Sequence, residues 1–145
     1  MSELTQILPL LYKIVLAAFL GAMVGAERDI SGKSAGLRTS GLIAIGSCLF
    51  TVISLEAAPE ESLRIAAQIV TGVGFLGAGA MFKTENAVHG LTTAAEIWVV
   101  AAIGMAAGMG MELLAILSAI FVVAVMVLLK PLSKMFEKYG MKHET

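Results

Sequence analysis

The stretch from Leu113 to Leu129, LLAILSAIFVVAVMVLL, carries no charged residue and a single hydroxyl, Ser118. A helix needs about 20 apolar residues to cross roughly 30 Å of hydrocarbon, and only helices or closed barrels satisfy their backbone polar groups there. Working outward from this run, stretches of the same kind cover Leu8 to Ala26, Thr39 to Ala57, Leu63 to Phe82 and Leu91 to Gly108. The 145 residues are 58% hydrophobic and 14% charged, with a mean hydropathy of +0.89. That balance is too apolar for a soluble domain and leaves too little charge to coat one. The predicted fold class is an all-α membrane protein, a bundle of about five transmembrane helices packed through Gly/Ala-rich faces, with the lipid bilayer as its solvent.

The charges gather between and after the apolar runs. Arg28, Lys33, Arg38, Lys83, Lys130, Lys134, Lys138 and Lys142 fall on one set of alternate sides, against Arg64 on the other and Lys13 inside the first span. By the positive-inside rule the N-terminus is expected outside and the C-terminus in the cytoplasm of a multi-pass membrane protein. Residues 1–130 then form the transmembrane domain and 131–145 a short basic cytoplasmic tail, since Pro131 is expected to stop the last helix. Lys134, Phe136, Lys138, Tyr139 and Lys142 suit a segment lying on an anionic leaflet or a solvated end. The N-terminus shows no basic start or small-residue cleavage site, so the first helix is expected to stay in the mature protein.

Several function classes drop out on composition. The formal net charge is -1 and no basic stripe suits nucleic acid. Cys48 is the one cysteine, so neither a disulfide within the chain nor a multi-Cys zinc site is expected. No Ser/His/Asp or Cys/His cluster has catalytic spacing, and an enzyme is not expected. The stretch Gly72-Val-Gly74-Phe-Leu-Gly77-Ala-Gly79 matches the dinucleotide fingerprint in letters only. That motif needs a strand turning into a helix that meets a pyrophosphate, whereas these glycines sit inside a membrane-length run. They read instead as a thin packing helix, or one locally unwound beside a cavity.

Helices in lipid gain little by burying apolar surface against one another, so small residues mark where backbones approach. Gly21 with Gly25, Gly104 with Gly108, and Gly74, Gly77 and Gly79 are the predicted packing positions. Such faces serve contacts within the chain or a homo-oligomer, a dimer being favoured.

The polar candidates meet at one end. Glu27, Arg28 and Asp29 close the first span, and Arg38 opens the second. Adjacent helical residues point about 100° apart, so Glu27 and Arg28 cannot pair well. Arg38 is expected to reach Glu27, leaving Asp29 and Arg28 to water, helix ends or a ligand. Glu96 lies inside the fourth span on a face shared with Thr92 and Thr93. An intramembrane carboxylate is costly and is by default a functional candidate. It is expected either to be protonated in a dry interface or to pair with Arg28 or Arg38. Lys13 is expected to snorkel outward past Tyr12, and Gln68 to make an interhelical hydrogen bond. His89 and His143 lie far apart in sequence, which disfavours a His-based metal site. No cofactor is expected; Glu27, Asp29 and Glu96 are the acids available to a cation.

Four ordered blocks carry a resemblance: Gly21-Ala-Met-Val-Gly25-Ala-Glu27-Arg28, Gly36-Leu37-Arg38-Thr39, Gly74-Phe-Leu-Gly77-Ala-Gly79, and Gly90-Leu91-Thr92-Thr93-Ala94-Ala95 followed by Ile97-Trp98. Together they resemble the MgtC/SapB family of bacterial inner-membrane proteins. The resemblance implies a multi-span bundle linked to magnesium homeostasis, to growth in low magnesium and, in pathogens, to virulence. Its conspicuous positions fall on Glu27, Arg28, Arg38, Gly77, Gly79, Thr92 and Thr93. Longer members carry a soluble C-terminal domain, whereas this chain is expected to end soon after its fifth span. Glu96 stands where a small or hydroxyl residue is expected, so the family offers no role for it. Two functions follow. One is a non-catalytic module that modulates another membrane protein; the other is an oligomeric cation (Mg2+ or H+) transporter or channel using Glu27, Asp29 and Glu96.

Overall fold

The computed structural model describes residues 2–57, 59–85 and 87–140. Five α-helices account for most of them: α1 (Ser2–Ile30), α2 (Leu37–Ala57), α3 (Ser62–Gly79), α4 (Leu91–Gly108) and α5 (Glu112–Gly140). A short 3-10 turn, Pro59–Glu61, leads into α3, and an antiparallel hairpin of β1 (Phe82–Lys83) and β2 (Val88–His89) joins α3 to α4. Four stretches are long and apolar enough to cross a membrane: Leu4–Ile30, Leu37–Ala57, Leu91–Gly108 and Glu112–Leu132. The fifth helix, α3, has 18 residues, and Arg64 and Gln68 interrupt its first two turns.

Close approaches fix the directions of the helices. A Cβ added at Gly21 would stand 2.6 Å from the Ser40 carbonyl oxygen, and one at Gly25 would stand 2.7 Å from that of Gly36, so α1 and α2 run antiparallel. Gly104 meets Ala44 and Gly108 meets Cys48 and Thr51, so α4 runs parallel to α2. Gly77 meets Ala94, which sets α3 antiparallel to α4. Lys130 Nζ, late in α5, donates to Ser31 Oγ at the end of α1 at 2.8 Å. Each helix therefore reverses the one before it, and Arg28, Lys33, Arg38, Lys83 and Lys130 collect at one end of the bundle while Arg64 sits at the other.

The core forms where α1, α2 and α4 meet. Ala17, Leu20 and Val24 interlock with Ala44 and Cys48 and with Val100, Ile103 and Ala107, and α5 adds Ala115 and Ala119. Small side chains dominate because helices that approach closely leave little room between their axes. The rest of α5 bares Leu113, Leu117, Phe121 and Leu128, as a lipid-facing helix should. α3 packs mainly on α4, through Ile69 and Val73 against Ile97 and Ala101.

Three sequence expectations change. α5 continues through Pro131 to Gly140, so there is no helix break at 130. A proline there forgoes one backbone bond, which a helix near its membrane exit tolerates. The surface-lying tail rests on Lys134, Phe136, Lys138, Tyr139 and Lys142, which lie outside the residues whose side chains are described. Among the expected packing glycines, Gly74 and Gly79 meet nothing within 4 Å, so their thinness is unused inside one chain. Lys13 does not snorkel: its Nζ donates to the Gly108 carbonyl oxygen at 3.2 Å, capping the C-terminal end of α4.

The glycine contacts generate a contrast that thermal unfolding in detergent can measure. Gly104→Val, whose Cβ would lie 2.3 Å from the Ala44 carbonyl oxygen, should destabilise by about 3 kcal/mol or more. Gly74→Ala, which enters open space, should stay within about 1 kcal/mol of the parent.

Candidate polar site at the basic end

α1 ends in three consecutive charges that point in three directions, and each finds a different neighbour. Glu27 Oε1 accepts from Ser31 Oγ at 2.5 Å, one turn on. Asp29 Oδ2 accepts from the backbone N–H of Leu37 at 2.9 Å and so satisfies one of the orphan donors that open α2. Gly36 makes room for this, since a Cβ there would fall 1.8 Å from Asp29 Oδ1. Arg28 turns inward and is only 5% exposed. Its Nη2 donates to Thr93 Oγ1 of α4 at 2.6 Å and its Nε to the Ser34 carbonyl oxygen at 3.4 Å. Ser34 Oγ lies 3.3 Å from the same threonine hydroxyl.

One turn further along α4, Glu96 is 3% exposed. Its Oε1 lies 2.7 Å from Ser40 Oγ, and that hydroxyl lies 2.8 Å from the Ala35 carbonyl oxygen. The single Ser40 hydroxyl proton thus faces two acceptors, the Glu96 carboxyl and the Ala35 carbonyl. Glu96 Oε2 has no partner among the described residues. The only ion pair among them joins Arg64 to Glu61 on the surface. A buried guanidinium and a buried carboxyl thus sit close together without pairing.

Of the candidates taken from the sequence, Arg28 and Thr93 touch and Glu96 lies beside them. Arg38 does not reach Glu27, because Ser31 already occupies that carboxylate and Arg38 starts α2 facing outward. Thr92 is exposed, one residue round the helix from Thr93. Glu27, Asp29 and Glu96 do not converge, and no group of three or more His, Cys, Asp or Glu among the described residues could hold a metal ion. Glu96 pairs with neither Arg28 nor Arg38. His89 stacks on Phe82 across the hairpin with ring centroids 5.0 Å apart.

Sequence reasoning missed Ser34 and Ser40. The signal was present: Ser40, Ser47, Thr51 and Ser54 recur at helical spacing along α2, and all four are buried. A hydroxyl ridge on a membrane helix marks the side turned to other helices.

Beside this cluster, α3 stands off from α2 and leaves a groove of about 1230 Å³. Leu42, Ile43, Phe50, Ile69, Val73 and Leu76 make up much of its apolar wall. Ser34, Thr39 and Thr93 line it at the basic end, and Gln68 lines it without any hydrogen bond among the described residues.

The sequence profile of the MgtC family matches residues 14–135. Among curated relatives, Protein MgtC of Brucella abortus (strain 2308) is 43% identical over 127 residues, 87% of this chain and 53% of the relative. Protein MgtC of Salmonella typhimurium (strain 14028s / SGSC 2262) is 40% identical over 130 residues, 90% of this chain and 56% of the relative. The chain thus spans about half the length of the curated relatives it matches. No solved structure matches it.

The contact between Asp29 and the start of α2 can be tested by a double-mutant cycle. Asp29→Ala should cost about 1 kcal/mol, the usual worth of a helix-start acceptor. Gly36→Ala should cost a similar amount by displacing the carboxylate, and the double variant should cost little more than either alone in an equilibrium unfolding measurement.

Proposed function

Because this chain belongs to the MgtC family, we propose that it is a bacterial inner-membrane protein linked to magnesium homeostasis, acting without catalysis by engaging another membrane protein from the side. Its N-terminus lies outside and its basic end faces the cytoplasm, in keeping with the charge asymmetry of the bundle. The observation that carries this reading is the outer ridge of α3. Ala67, Thr71, Gly74 and Ala78 follow one another at helical spacing, and all are exposed. A ridge of small residues lets a second helix approach to backbone distance, which is how helices recognise each other in lipid. In a soluble protein such a ridge would be unremarkable; in a bilayer close packing at small residues is one of the main ways helices associate.

The acids at the basic end also favour this reading. Magnesium is bound through several oxygens and retained waters, whereas Glu27, Asp29 and Glu96 each serve a separate neighbour. The second reading, an oligomeric cation transporter, draws on one observation: Glu96 Oε2 is buried and unpartnered.

The two readings separate in a pair of measurements. Gly74→Leu, whose side chain enters open space, should keep normal expression and melting temperature but lose support of growth in low magnesium. Purified parent protein in liposomes should show no magnesium flux. Flux that disappears in Glu96→Gln would establish the transporter and defeat the lateral-engagement reading.

A further inference from the structure

We propose that the groove between α2 and α3 binds one anionic phospholipid, with its phosphate at Ser34 and Thr93 in front of Arg28 and its acyl chains along the apolar wall. The proposal starts from an unbalanced charge. Arg28 is 5% exposed and has no carboxylate within ion-pairing distance among the described residues. A buried cation is costly unless an anion accompanies it. The acids around it are committed elsewhere: Glu27 to Ser31, Asp29 to the start of α2, and Glu96 to Ser40. Glu96, on the next turn of α4 from Thr93, makes no ion pair with Arg28.

The hydroxyls in front of Arg28 are arranged to donate. Thr93 Oγ1 accepts the guanidinium N–H, which leaves its own proton free for Ser34 Oγ or for the groove. Ser34 and Thr93 both line that groove. Lys33, Arg38 and Lys83 are exposed at the same end beside Asp29 and Glu85, so exposed basic side chains outnumber acidic ones there. Phosphate is the anion that such donors and positive charges recognise.

The remainder of the groove is lined by aliphatic and aromatic side chains, with Ser47 and Gln68 as its polar interruptions. Its floor is kept open by Gly46 and Gly72, where an added Cβ meets nothing within 4 Å. An apolar trough that ends in donor hydroxyls and a buried guanidinium matches a ligand that is a hydrocarbon at one end and a phosphate at the other. A transmembrane helix in the trough would leave Arg28 uncompensated, and free phosphate would leave the trough unfilled. The site is separate from the outer ridge of α3, so it stands or falls independently of the proposed function.

Native mass spectrometry of the full chain, delipidated in mild detergent and titrated with dioleoyl phosphatidylglycerol or dioleoyl phosphatidylcholine, tests this. One phosphatidylglycerol should be retained, with an affinity about tenfold above that for phosphatidylcholine, whose phosphate is the same but whose choline cation is repelled by Lys33, Arg38 and Lys83. Thr93→Ala, checked for folding by circular dichroism, should weaken retention of phosphatidylglycerol by removing a donor to its phosphate. Gly72→Leu, which adds a side chain to the trough at a position where a Cβ meets nothing within 4 Å, should lose both lipids. Equal retention of the two lipids would overturn the proposal. So would undiminished phosphatidylglycerol binding by Gly72→Leu, or displacement of the lipid by millimolar inorganic phosphate alone.

Discussion

The bundle depends on backbone contact at glycine. Lipid tails are as apolar as leucine, so membrane helices are held together by close packing and by hydrogen bonds rather than by release of water. At Gly104 the Ala44 carbonyl oxygen stands 2.3 Å from where a Cβ would be, and Gly21, Gly25 and Gly108 are similarly filled by neighbouring backbone or side chain. These contacts draw α1, α2 and α4 into one tight unit. Everything polar at the basic end follows from that closeness, because it brings the end of α1 against the first turns of α2 and α4.

Within that unit, polar groups are placed to satisfy one another at low dielectric, where an unpartnered donor or acceptor is expensive. Asp29 closes the start of α2, Lys13 closes the end of α4, the Thr93 hydroxyl and the Ser34 carbonyl serve Arg28, and the Ser40 hydroxyl serves Glu96. Glu96 Oε2 and, towards the other end of α2, Ser54 Oγ are buried atoms without a partner among the described residues. Arg28 is bonded but has no ion-pair partner there, and the residues it touches, Ser34 and Thr93, line the open groove.

α3 is the exception to the tight packing. It leans on α4 and is largely bare elsewhere, with Phe75 86% exposed. Its glycines make it thin, but inside one chain only Gly77 uses that thinness. A helix with small residues on its outer ridge and an apolar trough on its inner side has surface for two different neighbours. The result is a closely packed unit of α1, α2 and α4 beside a fourth helix with fewer neighbours.

The sequence by itself determined the number of helices, their alternation and the gathering of basic residues at one end, but not the extent of α1 and α5, which run beyond their apolar stretches. Each of these depends on local composition: a run of apolar residues is unfavourable in water wherever it occurs, and a lysine is costly in hydrocarbon whatever its neighbours. It also singled out Arg28, Thr93 and Glu96 as residues needing explanation. Only the tertiary structure decided what they touch. Arg28 meets Thr93 65 positions away, and Glu96 meets Ser40 56 positions away. Which of three adjacent charges turns inward is set by how α1 is rotated against α2 and α4, and that rotation is fixed by contacts far apart in the chain. For the same reason the sequence proposed Gly74 and Gly79 together with Gly104 and Gly108 as packing positions. Spacing places a glycine on a helix face, and only the assembled bundle determines whether another backbone is there to meet it.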